Sequence, residues 1–135
     1  MNIKKNKLKK IDCKGGNIFH ALKVNESSFK KFGEAYFSFI DFGYIKGWKK
    51  HLQMTCNLIV PIGNVKFVFY DSNFQFISEE LIGENNYIRI TIPPKIWFAF
   101  QGVSEKSSLI LNIADIPHTD NEIERLSLKD FQYKW

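Results

Sequence analysis

The stretch "GYIKGWKKHLQMTCNLIVPIG", Gly43 to Gly63, decides how the chain is read. Its polar and small residues fall at set intervals: Gly43, five residues, Lys49, one residue, His51, four residues, Cys56, six residues, Gly63. Lys49 and His51 lie two apart on a predicted strand, and successive side chains of a strand alternate in direction, so both project to the same side. Downstream, "NLIVPIGNVKFVFYD" reads as two strands joined by a turn at Pro61, Gly63 and Asn64. Val65, Phe67 and Phe69 then share one face, with Lys66, Val68 and Tyr70 on the other.

Working outward, Asn17 to Lys23 and "AYFSFI", Ala35 to Ile40, read as strands. "SNFQFISEELIGENN" holds a short strand and a loop, and "YIRITI" alternates, with Ile88, Ile90 and Ile92 facing one way and Arg89 and Thr91 the other. Pro93-Pro94 ends that strand because proline donates no ladder hydrogen bond. "IWFAF" and "SLILNIAD" supply two more strands. Only "HTDNEIERLSLKDF" is compatible with a helix, capped at Thr119 or Asp120, and it reads equally as an irregular tail. Many short strands separated by turns predict an all-β, antiparallel jelly roll.

Bulk composition narrows the function. A chain of 135 residues fits one core, expected over residues 11–135 behind a basic segment at 1–10. The net charge of +5 owes much to the lysines of "MNIKKNKLKK", read as a solvated terminus. No basic helical stripe or basic-aromatic sheet motif follows, which argues against nucleic acid as a partner. No apolar run approaches the roughly 20 residues of a membrane span. The start lacks a secretory signal, so a cytoplasmic protein without a membrane partner is expected. Cys13 and Cys56 do not form a disulfide framework. Thirteen Phe, five Tyr and three Trp point to a thick β core.

The frame from Gly43 to Gly63 resembles the first motif of the cupin family, which places two His and a Glu where this chain has Lys49, His51 and Cys56. A lysine beside the one retained His repels a divalent cation, so no metal is expected. Other stretches are similar to the metal-free sugar-nucleotide cupins, the dTDP-4-dehydrorhamnose 3,5-epimerases and their short relatives. These are Gly43, Lys46, Gly47 and Trp48, then "VKFVFYD", "ITIPPKIWFAFQG", "NEIER" and "YKW". "KGWKKH" and "PKIWFAF" also resemble the dTDP-sugar 3,4-ketoisomerases. The likeness runs from about Asp12 to Trp135 and implies a homodimer acting on a dTDP-linked 4-keto-6-deoxy sugar in surface polysaccharide assembly. Epimerisation is the first reading and ketoisomerisation the second. The rival of another class is a noncatalytic sugar-nucleotide-binding cupin.

Both reactions remove a proton beside a ketone, so the site needs a base, a donor for the oxygen and a proton source, and no cofactor. His51 is the candidate base and Lys49 the cation for the oxyanion, with the reversed roles open. Tyr36, Tyr44 or Tyr70 is the candidate proton donor. Lys46 and Arg89 are candidates for the diphosphate. In the resemblance Trp97 or Phe98 stands at the second-motif His, and Leu111 or Asn112 at the position of the family's tyrosine; Trp97 and Asn112 are taken as candidate substrate contacts. Against these stand plainer readings: Lys49-Lys50 as a solvated strand edge, Arg89 as an outward sheet residue, Trp97 as core, and Cys56 as a small hydrophobe.

Overall fold

The computed structural model describes residues 2–135. The described residues form twelve strands, the longer of them rich in apolar and aromatic side chains: β1 (Lys4–Lys7), β2 (Lys10–Ile11), β3 (Ile18–Phe19), β4 (Glu34–Ile40), β5 (Ile45–His51), β6 (Cys56–Ile62), β7 (Asn64–Tyr70), β8 (Phe76–Gly83), β9 (Ile88–Ile92), β10 (Trp97–Gly102), β11 (Ser108–Ala114) and β12 (Ile123–Arg125). Two antiparallel five-stranded sheets, ordered β1-β9-β6-β11-β4 and β12-β5-β10-β7-β8, face each other as a jelly roll, and β2 pairs with β3 beside them.

The expected register holds through the core. Val65, Phe67 and Phe69 of β7 are buried in one cluster with Ile88, Ile90 and Ile92 of β9 and Phe98 and Phe100 of β10. Rings of Phe67 and Phe100 lie 5.2 Å apart, and those of Phe69 and Phe98 lie 6.2 Å apart. Burying each ring contributes about 1.5–3 kcal/mol, so Phe67→Ala should cost about 3–5 kcal/mol once the cavity is included. Gly63 makes the β6–β7 turn: its φ of 83° is a left-handed conformation, and a Cβ there would run into Ser108.

Two expectations change, and one left open between a helix and an irregular tail is decided. The lysine-rich start is not a free terminus, because β1 pairs with β9 while its four side chains stay exposed. The predicted strand from Asn17 to Lys23 is only Ile18–Phe19, since the chain beyond it leaves to cover the outer face of β9. The terminal segment carries no α-helix: single 3-10 turns at Asp120–Glu122 and Leu128–Asp130 flank β12, which pairs with β5. No helix among the described residues is long and apolar enough to cross a membrane.

Candidate active site

Strand β5 has two faces with different occupants. Trp48 and Lys50 point outward, Trp48 into an aromatic cluster and Lys50 over the ring of Trp97 at 4.9 Å. Lys49 and His51 point the other way and line one cleft of about 310 Å³ with Glu34, Tyr36, Met54, His118, Ile123 and Arg125. The cleft lies at the seam where β4, the edge of one sheet, faces β12, the edge of the other. Beneath it a recess of about 30 Å³ is bounded by Tyr36, Ser38, Lys49, Asn112 and the core rings Phe67, Phe98 and Phe100. The barrel interior is therefore filled, and the open space is at its mouth.

His51 is buried, and its Nδ1 lies 2.8 Å from Glu122 Oε2. The other oxygen of Glu122 accepts from the backbone amides of Gln53 at 3.0 Å and Met54 at 2.8 Å. Burial alone would raise the Glu122 carboxyl, but the His51 contact and the two amides outweigh it and hold the group below its ordinary value. An ionised carboxylate accepts only, so Nδ1 carries the hydrogen and Nε2 keeps its lone pair. Nε2 is buried and has no partner among the described residues. Burial pushes the His51 pKa below its usual value, with Glu122 pulling the other way, so the neutral imidazole is favoured.

Lys49 sits with its Nζ 5.3 Å from the centre of the Phe98 ring. Desolvation lowers its pKa, and the charges of Arg125 and Lys46 add to that effect. Tyr36, directly across from Asn112 in the β4–β11 register, accepts a hydrogen bond from Asn112 Nδ2 at 3.1 Å. That bond occupies a lone pair of the phenol oxygen and leaves its own hydrogen free to donate. Desolvation raises the Tyr36 pKa and keeps the phenol protonated, against the opposing pull of Asn112.

The structure thus brings together four of the expected residues, His51, Lys49, Tyr36 and Asn112, and separates the others. Tyr70 and Trp97 lie on the outer face of the second sheet, in the cluster around Trp48, because odd and even positions of β7 and β10 face opposite ways. Tyr44 is 68% exposed beyond the cleft. Arg89 is buried on the outer face of β9, donating to the Ala21 carbonyl at 2.7 Å and to Glu26 at 3.0 Å. Lys46 is exposed and donates to the Phe39 carbonyl. Glu122 and Arg125 lie in "NEIER", a stretch the resemblance included without giving either residue a role; Glu122 ends a 3-10 turn and β12 pairs non-locally with β5, so no local periodicity points to them.

The donors at the frame positions do not suit a metal. Lys49 replaces one ligand, the Nδ1 of His51 is committed to Glu122, and burial raises the Cys56 thiol to about 12, which keeps it neutral. No group of three or more His, Cys, Asp or Glu side chains able to hold a metal occurs among the described residues. A larger groove of about 540 Å³ lies at the opposite seam, between β1 and β8. Its Lys5 and Glu80 neutralise each other at 3.3 Å and it has no His or Tyr, so it lacks a proton-transfer set.

No family model and no curated protein matches the chain. Solved structures do. A dTDP sugar isomerase from Desulfovibrio desulfuricans G20 is 30% identical, with 98% of this chain and 90% of that one covered and a TM-score of 0.92. A dTDP-4-dehydrorhamnose 3,5-epimerase from Sulfolobus tokodaii is 17% identical over 97% of this chain and 80% of its own, with a TM-score of 0.82. QdtA, a sugar 3,4-ketoisomerase from Thermoanaerobacterium thermosaccharolyticum solved in complex with TDP, is 19% identical over 93% and 88%, with a TM-score of 0.75. The last two share the fold.

Proposed function

The chain belongs to the cupin family of dTDP-sugar isomerases, and from that premise we propose that it catalyses cofactor-free epimerisation or isomerisation of a dTDP-linked 4-keto-6-deoxy sugar. One observation carries the reading: a buried His51 whose Nδ1 is held by Glu122 and whose Nε2 is unpaired, in a cleft shared with Lys49 and Tyr36. Nε2 removes the proton on the carbon beside the ketone. Lys49 stabilises the oxygen of the resulting enolate. Tyr36 stands on β4, across the cleft from β5, and returns a proton from that side; delivery to the face opposite the one deprotonated inverts the carbon. Arg125, opposite Lys49 in the β12–β5 register, takes the diphosphate at the mouth in place of Arg89, whose guanidinium is already paired.

Epimerisation at C3 and C5 is the leading reading. The 3,4-ketoisomerase reading is favoured by the Lys49-His51 register on β5 and shares the same first step. Incubation with dTDP-4-keto-6-deoxyglucose in deuterated water, followed by NMR, separates them. Deuterium at C3 and C5 marks epimerisation. Loss of the C3 hydrogen with deuterium at C4 and the carbonyl moved to C3 marks ketoisomerisation. Binding without exchange would leave the noncatalytic cupin. The functional unit in this reading is a cytosolic homodimer. It is supported by the free edge of β4 and by Phe37 and Phe39 beside it, 63% and 61% exposed on the outer face of the sheet. Its mass in solution tests that assignment.

A further inference from the structure

Strand β12 has a weak hold of its own. It is three residues long, paired on one side only, and sits at a sheet edge, where such short pairing is marginal. Its register is nonetheless decisive. Arg125 lies opposite Lys49 and Ile123 opposite His51 on the cleft side, while Glu124 lies opposite Lys50 on the outer side and pairs with it at 2.8 Å. A slip of one residue would exchange the faces, bringing Glu124 to the cleft and turning Arg125 away. It would also pull Glu122, the residue just before the strand, off His51.

The segment that follows β12 grips the back of β5. Leu126 and Trp48 exchange backbone hydrogen bonds of 3.1 and 3.0 Å. A reciprocal Ser127–Asp130 cap then turns the chain. Phe131 is 7% exposed and stacks on Trp48 with ring centres 4.2 Å apart, 5.8 Å from Trp97 and 4.9 Å from Tyr70. Trp135 closes the rim at 6.0 Å from Trp48, and Lys66 lies over both Tyr133 and Trp135. Trp48 is the residue immediately before Lys49, so this contact lies directly behind the cleft.

We propose that the aromatic tail, Leu126 to Trp135, is a positioning clasp for the reaction: by locking onto Trp48 behind β5 it keeps β12 in register, and so holds Glu122 on His51 and Arg125 at the cleft. The rings that Phe131 and Trp135 meet, Trp48, Tyr70, Phe74, Trp97 and Tyr133, all lie outside the cleft lining, so the clasp acts through Glu122 and Arg125. The proposal rests on the reaction assigned above for its kinetic consequence, but not for its structural one.

The test compares Phe131→Ala, Glu122→Gln and the double variant. The His51 ring nitrogens are read by long-range proton–nitrogen correlation on histidine-labelled protein, which needs no substrate. In the unmodified protein the hydrogen should reside on Nδ1; in Phe131→Ala it should be shared between the two nitrogens. Turnover should fall about 100-fold, the scale expected for misplacement of about 1 Å at a catalytic group. On the Glu122→Gln background the same change should cost less than about threefold in kcat, because the contact through which it acts has already gone. KM should still rise, through Arg125. An unaltered Nδ1 hydrogen in Phe131→Ala, or penalties that multiply in the double variant, overturns the clasp. If Phe131→Ala does not fold, Trp135→Ala at the rim decides by the same two readouts, with smaller expected shifts. Absence of turnover in the unmodified protein would defeat the assigned reaction and leave the nitrogen readout to judge the clasp.

Discussion

Replacing Glu122 by Gln tests the site at its most specific point, because the two oxygens of Glu122 do different work. Oε1 accepts from the amides of Gln53 and Met54, and Oε2 faces His51 Nδ1 at 2.8 Å. Glutamine can keep only one of these arrangements. Turning its NH2 toward the two amides would set donors against donors in a buried place, leaving unsatisfied groups at about 1–3 kcal/mol each. The oxygen therefore stays with the amides and the NH2 faces His51. Nδ1 must then accept, the hydrogen moves to Nε2, and the lone pair that removes the substrate proton is lost.

The expected size follows. Loss of the charge-assisted contact should lower stability by about 1.5–3 kcal/mol, well within what a folded domain tolerates. Loss of a general base costs about 10²–10⁴ in kcat, and a His held in the wrong tautomer by an amide in place of a carboxylate costs about 10⁴ in hydrolase triads. The assay is solvent deuterium uptake into dTDP-4-keto-6-deoxyglucose, with denaturant unfolding as the control for fold. A folded Glu122→Gln protein that exchanges within threefold of the unmodified rate would refute the His51–Glu122 argument.

Lys49→Met keeps an unbranched apolar stem but removes the ammonium that lies over Phe98; kcat should fall about 10²-fold or more with the fold intact, measured by the same exchange assay. Tyr36→Phe deletes only the hydroxyl that Asn112 orients, and should let proton removal continue while product formation slows, so that washout of the substrate hydrogen outpaces turnover. Arg89→Met should cost stability, because it strands Glu26 and the Ala21 carbonyl, yet leave KM for the nucleotide sugar unchanged. Stability should fall on acidification. The His51 pKa is depressed in the fold, so the unfolded chain binds the extra proton first and stability is lost as pH drops below the ordinary 6.5 toward the folded value. Glu122 is also depressed, and its contribution disappears as pH falls below 4.5 through its folded value. Urea midpoints from pH 7 down to about 2 read both, and Glu122→Gln should flatten the lower part; a midpoint independent of pH would contradict the burial of this pair.

What was legible in the sequence was what alternation carries. "VKFVFYD" and "YIRITI" placed their core residues correctly, and the spacing of Lys49 and His51 placed both on one face. The same alternation set Arg89 opposite the core isoleucines, and that outward face is where it sits, beneath the segment that supplies Ala21 and Glu26. The choice among Tyr36, Tyr44 and Tyr70 depended on which sheet face each strand turned to the cleft, a property of sheet pairing and not of any one strand. Glu122 and Arg125 were hidden for a related reason. Glu122 ends a 3-10 turn and Arg125 ends the three-residue strand that follows it, and both are held by pairing with β5 and the Leu52–Met54 backbone, some seventy positions earlier, which no local periodicity reveals.

On the proposed reading, a frame that resembles a metal-binding one serves proton transfer without a change in the strands that carry it. At the first ligand position a lysine supplies charge where a cation would have sat, and its depressed pKa brings it nearer to acting as an acid as well. At the second, the retained histidine faces a carboxylate through Nδ1, which leaves Nε2 for the base role proposed above. At the third, Cys56 is buried, neutral and bonded to Asn112, so it acts as packing beneath the cleft. Phe67, Phe98 and Phe100 then fill the volume around the frame, leaving a recess of about 30 Å³. That is room for one water or a methyl group, but not for a sugar ring. The proposed reaction therefore belongs at the seam between β4 and β12, where Tyr36 and Arg125 are found and where the barrel's own edges, not its interior, form the walls.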